Sequence, residues 1–263
     1  MVELVDTHCH LDLEPLANDV EGVLERARAA GVAQCVSIGT SSESSHAVVA
    51  LAKRYPMLRA AVGVHPHEAD AVTDAILRDI EQLAAEPSVV AIGEVGLDNY
   101  RQEASIDNQV RAFKGFLALA QRSNLPLIIH CRQAYETLLE LLRQQDRTWR
   151  GVIHCASGPP EFIQGALELG LSISFAGNVT FPNAQALRAL VPLVPDERLL
   201  IETDAPFLAP QPVRGKPNEP AYVAHTAACL AQLRGMTVDA VGALTSRNAR
   251  RLFNLPDPAM LQA

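Results

Sequence analysis

Short apolar runs alternate with longer amphipathic stretches along the whole chain. The runs cover residues 2–7, 33–39, 58–64, 89–94, 126–130, 151–154, 171–175 and 198–202. Each has strand length and is apolar almost throughout, the pattern of a strand covered on both faces. Helical periodicity fills the gaps at 19–30, 44–54, 73–85, 105–123, 134–145, 160–169 and 184–190, and twice more at 221–234 and 238–252. Gly31 and Gly170 fall just past two of these helices, where a left-handed residue ends the turn. Eight strands alternating with helices require parallel pairing. A closed (β/α)8 barrel of the TIM type, an α/β fold, fits this order better than an open doubly wound sheet. The open sheet would want a G-x-G-x-x-G loop after an early strand, and none occurs. With no linker, repeat or low-complexity tract, residues 1–263 read as a single domain.

Polar residues interrupt this pattern at equivalent places. His8 and His10 follow the first run, Glu94 the fourth, His130 the fifth, His154 the sixth and Asp204 the eighth. Residues i and i+2 of a strand share a face, about 6.6–7 Å apart, so His8 and His10 point the same way. In a (β/α)8 barrel the C-terminal strand ends form the active face, so all six side chains converge on one pocket. Six donors are too many for one tetrahedral zinc. They suit two divalent ions about 3.5–4 Å apart. Strand order splits them into His8, His10 and Asp204 on one side and His130 and His154 on the other, with Glu94 as the bridge. Mixed imidazole and carboxylate ligands accept zinc, manganese or magnesium.

Charge and cysteine content narrow the picture. The net charge of −8 argues against a broad basic platform for nucleic acid, though not against a local positive site made by two bound cations. Five cysteines without a CxxC point to a reducing compartment rather than to disulfides. Cys9, Cys131 and Cys155 each follow a histidine and are expected to face the helices rather than a metal. No basic stretch followed by an apolar segment marks a signal peptide, and no apolar run reaches membrane-spanning length, so a cytoplasmic location is expected. Nothing in the pattern demands a protein partner. Residues 205–220 carry five prolines after the last strand and are placed over the barrel mouth.

With these motifs in order, the chain resembles the TatD family of metal-dependent hydrolases. The matching stretches are Asp6-Thr7-His8-Cys9-His10-Leu11-Asp12, Gly63-Val64-His65-Pro66-His67, Ile92-Gly93-Glu94-Val95-Gly96-Leu97-Asp98, Ile129-His130-Cys131-Arg132, Ile153-His154-Cys155, Ile201-Glu202-Thr203-Asp204-Ala205-Pro206, Arg214-Gly215-Lys216-Pro217-Asn218-Glu219-Pro220 and Asn248-Ala249-Arg250-Arg251-Leu252-Phe253. The resemblance implies a two-metal site at His8, His10, Glu94, His130, His154 and Asp204. It also implies phosphodiester hydrolysis, above all 3′-5′ exonuclease action on DNA through a metal-bound hydroxide. Other members look directed at RNA or at aminoacyl-tRNA esters. Ala156 and Asn99 stand where the family usually has aromatics, which bears on what packs over a base or sugar.

Further roles are assigned on chemistry. Asp204 can act as ligand and general base, or as ligand alone. His65 can donate to a phosphate or leaving oxygen, or be structural beside Pro66; His67 is expected at the surface. Arg132 suits a phosphate, or an ion pair with Asp98. Arg214 and Lys216 can hold a neighbouring phosphate or stand solvated. Tyr100 and Trp149 can stack on a base, with core packing favoured for Trp149. The competing activity is metal-dependent hydrolysis of a small amide, lactone or aminoacyl ester. Barrels of that kind often carry a carboxylated lysine as the metal bridge, whereas the fourth strand here ends in Glu94.

Overall fold

The computed structural model describes residues 3–101 and 103–257. Eight strands form one sheet in sequence order: β1 (Leu4–Cys9), β2 (Val32–Ile38), β3 (Leu58–Val62), β4 (Val89–Asp98), β5 (Leu127–Arg132), β6 (Gly151–Ile153), β7 (Ser172–Phe175) and β8 (Leu199–Ile201). Each successive pair is parallel. The ring closes between its last and first strands. Cys9 bridges Ala205 in parallel, His10 N–H donates to the Ala205 carbonyl at 2.7 Å, and Asp204 N–H donates to the His8 carbonyl at 2.9 Å. The fold is therefore the expected (β/α)8 barrel, and its seam runs through the polar residues at the mouth. Val2, placed in the first strand by the sequence pattern, lies outside the described residues.

The outer layer comprises α1 (Val20–Ala29), α2 (Ser42–Arg54), α3 (Asp74–Ala84), α4 (Ile106–Ser123), α5 (Tyr135–Arg143), α6 (Pro160–Glu168), α7 (Gln185–Arg188), α8 (Val223–Arg234) and α9 (Val238–Phe253). Asp19, Ser41, Thr73, Ser105 and Thr237 cap five of them, each accepting a first-turn backbone N–H. Gly31 and Gly170 take φ of 87° and 91°, as their positions after α1 and α6 require. One apolar layer packs strands against helices, with Leu24, Val48, Ile80, Phe113, Phe116 and Phe162 at its centre. A second cluster fills the barrel: Val5, Val36, Ile38, Ala61, Val90, Ala91, Ile128, Val152 and Leu200, joined by Leu252, Phe253 and Leu255 from the end of α9 and just beyond it. Helix α9 thus joins the interior packing and leaves the C-terminal strand ends for chemistry.

Two elements differ from the pattern-based expectation. The fourth strand continues four residues past Glu94, because Gly96, Leu97 and Asp98 stay in register with His130, Cys131 and Arg132 of β5. The Gln109 side chain holds that extension, accepting from Asp98 N–H at 2.8 Å and donating to its carbonyl at 3.0 Å. Gly96 permits it: at φ 150° any Cβ would collide with the His130 carbonyl oxygen. The helix expected at 184–190 is a single turn, α7, followed by a 3-10 turn at Val191–Leu193. Pro182 and Pro192 bracket it and lack the N–H groups a longer helix would need.

Candidate metal centre

The structure brings all six predicted donors into one pocket. Glu94 lies at its centre, 3 % exposed, with its two oxygens turned to different neighbours. Oε2 lies 3.4 Å from His8 Nε2 and 3.9 Å from His10 Nε2. Oε1 lies 2.8 Å from His130 Nδ1 and 2.7 Å from His154 Nε2. Asp204 Oδ1 stands 3.7 Å from His8 Nε2 and 3.5 Å from His10 Nε2. The two histidines of the opening motif face each other, Nε2 to Nε2, at 3.2 Å. His130 Nδ1 and His154 Nε2 are 3.3 Å apart.

These separations test whether divalent ions fit. Metal arms of about 2.1 Å in a tetrahedron give ligand–ligand edges of about 3.4 Å. His8, His10, Glu94 Oε2 and Asp204 Oδ1 display five such edges between 3.2 and 3.9 Å. His130, His154 and Glu94 Oε1 display three between 2.7 and 3.3 Å, one face of a second polyhedron. Two imidazole nitrogens aimed at each other repel unless a proton or a cation lies between them. The donor set therefore fits metal ions, and the carboxylate with one oxygen in each group is Glu94. Three groupings in the pocket have donor atoms close enough to hold an ion: His8, His10 and Asp204; His8, His154 and Glu202; and His65, Glu94 and His130.

Electrostatics agree with that fit. Burial pushes the Glu94 carboxyl up, but the imidazoles of His154, His65 and His130 outweigh it and hold the group well below the usual carboxylate range. Asp204 is also held down, against burial, by His10, His8 and His154. Carboxylates overcome burial at three histidines and raise their affinity for a proton: Asp204 and Glu94 at His10, Asp98 and Glu94 at His130, Glu94 and Glu202 at His154. His8 is lowered, by burial and by His154, which stacks on it at 3.9 Å. Divalent cations would take up the positions for which those protons compete.

Supporting groups set the ring orientations. His130 directs Nε2 at Asp98 Oδ2 (2.9 Å), which leaves Nδ1 for the pocket. His154 directs Nδ1 at Glu202 Oε1 (3.3 Å), which leaves Nε2. His10 Nδ1 faces the Ile38 carbonyl at 3.3 Å. Asp6 ties β1 to the segment after β8, accepting from Thr203 N–H, Thr203 Oγ1 and His8 N–H, and burial pushes its carboxyl up to about 8 despite those bonds. Asn218 is fully buried and donates to the Thr203 and Phe207 carbonyls at 2.8 and 2.6 Å. Of these, Glu202 was open to sequence reasoning: it lies two residues from Asp204, and neighbours at i and i+2 share a face. The roles of Asp98 and Asn218 depend on tertiary contacts that no periodicity reveals.

The remaining candidates divide. His65 lies three residues past β3; its Nδ1 accepts the His67 N–H at 3.1 Å, so its Nε2, 3.5 Å from Glu94 Oε1, carries the hydrogen. Burial lowers its pKa to about 3, which keeps the ring neutral. His67 is not at the surface as expected: its Nε2 reaches within 3.1 Å of Asp98 Oδ2. Arg132 is exposed, with its guanidinium over the Tyr100 ring at 3.8 Å. Arg214 lies over Phe181 at 4.2 Å, and Lys216 is exposed on the same loop. Trp149 is buried and donates to the Leu142 carbonyl, away from the mouth. Cys9 packs in the strand–helix layer, as expected, with its thiol 3.5 Å from the Val36 carbonyl.

Known proteins bear directly on this arrangement. The family model described as TatD related DNase matches residues 5–254. The uncharacterized metal-dependent hydrolase YabD of Bacillus subtilis is 40% identical over 253 residues, 96% of this chain and 99% of its own length. The 3'-5' ssDNA/RNA exonuclease TatD of Musicola paradisiaca is 38% identical over 96% of this chain and 98% of its own. The crystal structure of YJJV, a TatD homologue from Escherichia coli k12, superposes with a TM-score of 0.91 at 35% identity, covering 96% and 98% of the two chains. A (β/α)8 barrel with imidazoles and carboxylates gathered at its mouth belongs among the metal-dependent hydrolases. Within that class the chain is a member of the TatD family. Among the described residues no helix is long and apolar enough to cross a membrane.

Proposed function

We propose that this hydrolase cleaves phosphodiester bonds in single-stranded nucleic acid, removing nucleotides from a 3′ end, with DNA as the first substrate and RNA as a second. The observation that carries the reading is the division of Glu94, one oxygen in each of two donor groups. His8, His10 and Asp204 would hold one divalent ion, His130 and His154 the other, and Glu94 both. Such ions supply charge neutralisation at a phosphate and a water acidified toward neutral pH. The side chain of Asp204, 15% exposed, stands between this pocket and the mouth, where it can accept that water's proton. His65 presents a neutral Nε2–H for a phosphate or leaving oxygen. Arg132 at the end of the fifth strand and Arg214 and Lys216 on the segment after the eighth offer the positive charge that the net charge of −8 otherwise lacks. The exonuclease names of relatives at 38% and 37% identity support the substrate class.

The test is product analysis on 5′-labelled DNA and RNA strands, in parallel with an amide, lactone and aminoacyl-ester panel. The expected result is stepwise shortening from the 3′ end that is lost in Glu94→Gln and Asp204→Asn. Turnover of the carbonyl panel alone would refute the nuclease reading in favour of the competing one.

A further inference from the structure

The chain has seven Phe, four Tyr and one Trp, and nearly all are withdrawn from solvent. The two exposed ones are Tyr100 at 55% and Phe207 at 51%. Both stand at the barrel mouth, Tyr100 just after β4 and Phe207 after β8. Tyr100 follows Asp98 by two residues and donates its backbone N–H to Asp98 Oδ1 at 2.8 Å. Phe207 follows Asp204 by three residues and donates its backbone N–H to the Asp204 carbonyl at 2.9 Å. Asp98 in turn holds His130, and the Phe207 ring meets His10 edge-on at 6.0 Å between centroids. In a closed ring ordered β1 to β8, the segment after β4 and the segment after β8 lie on opposite sides of the mouth.

Exposed aromatic rings are ordinarily tolerated singly on mobile loops. Here each has an anchored backbone, Phe207 by the Asn218 amide on its carbonyl and Tyr100 by the Asp98 carboxylate on its N–H, and the Tyr100 ring carries the Arg132 guanidinium at 3.8 Å. A ring on an anchored backbone loses less entropy when a flat ligand stacks on it than one on a free loop. Arg132, resting on one of the two rings, brings positive charge to that platform. Building on the nuclease reading, we infer that Phe207 and the Tyr100–Arg132 pair are two base-stacking platforms on opposite sides of the metal pocket, one for each nucleobase flanking the scissile phosphate. A base stacked on such a platform lies outside a helical stack, so the platforms select an unpaired 3′ end.

The experiment pairs each ring with each base. Oligodeoxynucleotides carry an abasic tetrahydrofuran unit at the terminal or the penultimate 3′ position, and kcat/KM is compared with the intact strand. The wild type should prefer the intact strand by about five- to a hundredfold at both positions, the range expected for one base–aromatic stack. Phe207→Ala should abolish the preference at one position and Tyr100→Ala at the other, whereas Phe207→Trp and Tyr100→Trp should keep it. As a readout independent of turnover, 2-aminopurine at each position of a phosphorothioate-linked strand should be quenched by the wild type and less so by the matching alanine variant. Equal loss on intact and abasic strands, with unchanged quenching, would overturn the platforms while leaving the nuclease reading intact. Failure of the wild type to shorten any strand, with activity on the carbonyl panel, would overturn both.

Discussion

Replacing Asp98 by Asn tests what orients the His130 imidazole; His67 Nε2 also lies within 3.1 Å of the oxygen that faces His130, but His67 is not among the six donors. Asp98 is 1% exposed, and its Oδ1 accepts the backbone N–H groups of Tyr100 and Arg101 at 2.8 and 3.1 Å. Its Oδ2 faces His130 Nε2 at 2.9 Å. The amide can keep the backbone acceptor role only by turning its NH2 toward His130, donor against donor. His130 then relieves the clash by moving its hydrogen to Nδ1, the atom that lies 2.8 Å from Glu94 Oε1. A hydrogen bond to an ionised group contributes about 1.5–3 kcal/mol, and loss of a carboxylate that orients a ligating histidine costs about 10–100-fold in metal affinity or activity. The two ranges agree, since about 1.4 kcal/mol is tenfold. Activity titrated with Mn2+ should therefore shift its midpoint to about 10–100-fold higher metal in Asp98→Asn, with the maximal rate largely recovered at saturation. The fold should persist, because the backbone acceptors remain. An unshifted midpoint would refute the claim that Asp98 sets the ligand atom of His130.

Other expectations follow the same geometry. Glu202→Ala leaves the buried Cys155 N–H and His154 Nδ1 without their acceptor, so the thermal midpoint should fall by an amount reflecting about 1–3 kcal/mol, and Glu202→Gln should restore most of it; equal midpoints for both variants and the wild type would contradict this. Asn218→Ala strips the donor from two carbonyls at the base of the 205–220 loop and should raise amide exchange there, measured by mass spectrometry, before it affects strand exchange in β2 or β3. At a remote point, Ser42 and then His46 hold the Asp79 carboxyl below its ordinary value despite slight burial. A depressed carboxyl contributes stability above the unfolded-state pKa and loses it as pH falls through the folded-state value. The stability gap between wild type and Ser42→Ala should thus be present at pH 7 and close below about pH 4; a gap independent of pH would discount the Ser42–Asp79 bond.

The barrel and the positions of the six donors were legible because both follow from periodicity. A strand of period two in a closed parallel ring puts every C-terminal residue at one mouth, so His8, Glu94, His130 and Asp204 could be assigned to a pocket without contacts being known. Glu202, two residues before Asp204, is legible by the same rule. The rest was not periodic. That β4 runs on to Asp98 depends on an amide from α4, Gln109, meeting its backbone. That His67 turns inward depends on Asp98 being buried behind it. Which nitrogen His130 and His154 present depends on carboxylates 32 and 48 residues away in sequence. At 184–190 helical periodicity runs on to Leu190, whereas the α-turn ends at Arg188 and a 3-10 turn follows at Val191–Leu193.

The central claim is that Glu94 holds two divalent ions together at the barrel mouth. The most direct measurement is electron paramagnetic resonance of the protein titrated with Mn2+. The account predicts that the second equivalent converts an isolated six-line spectrum into a broad, spin-coupled one, and that Glu94→Gln abolishes the coupling. Two equivalents that bind as independent six-line centres, or a coupled signal that survives Glu94→Gln, would contradict it.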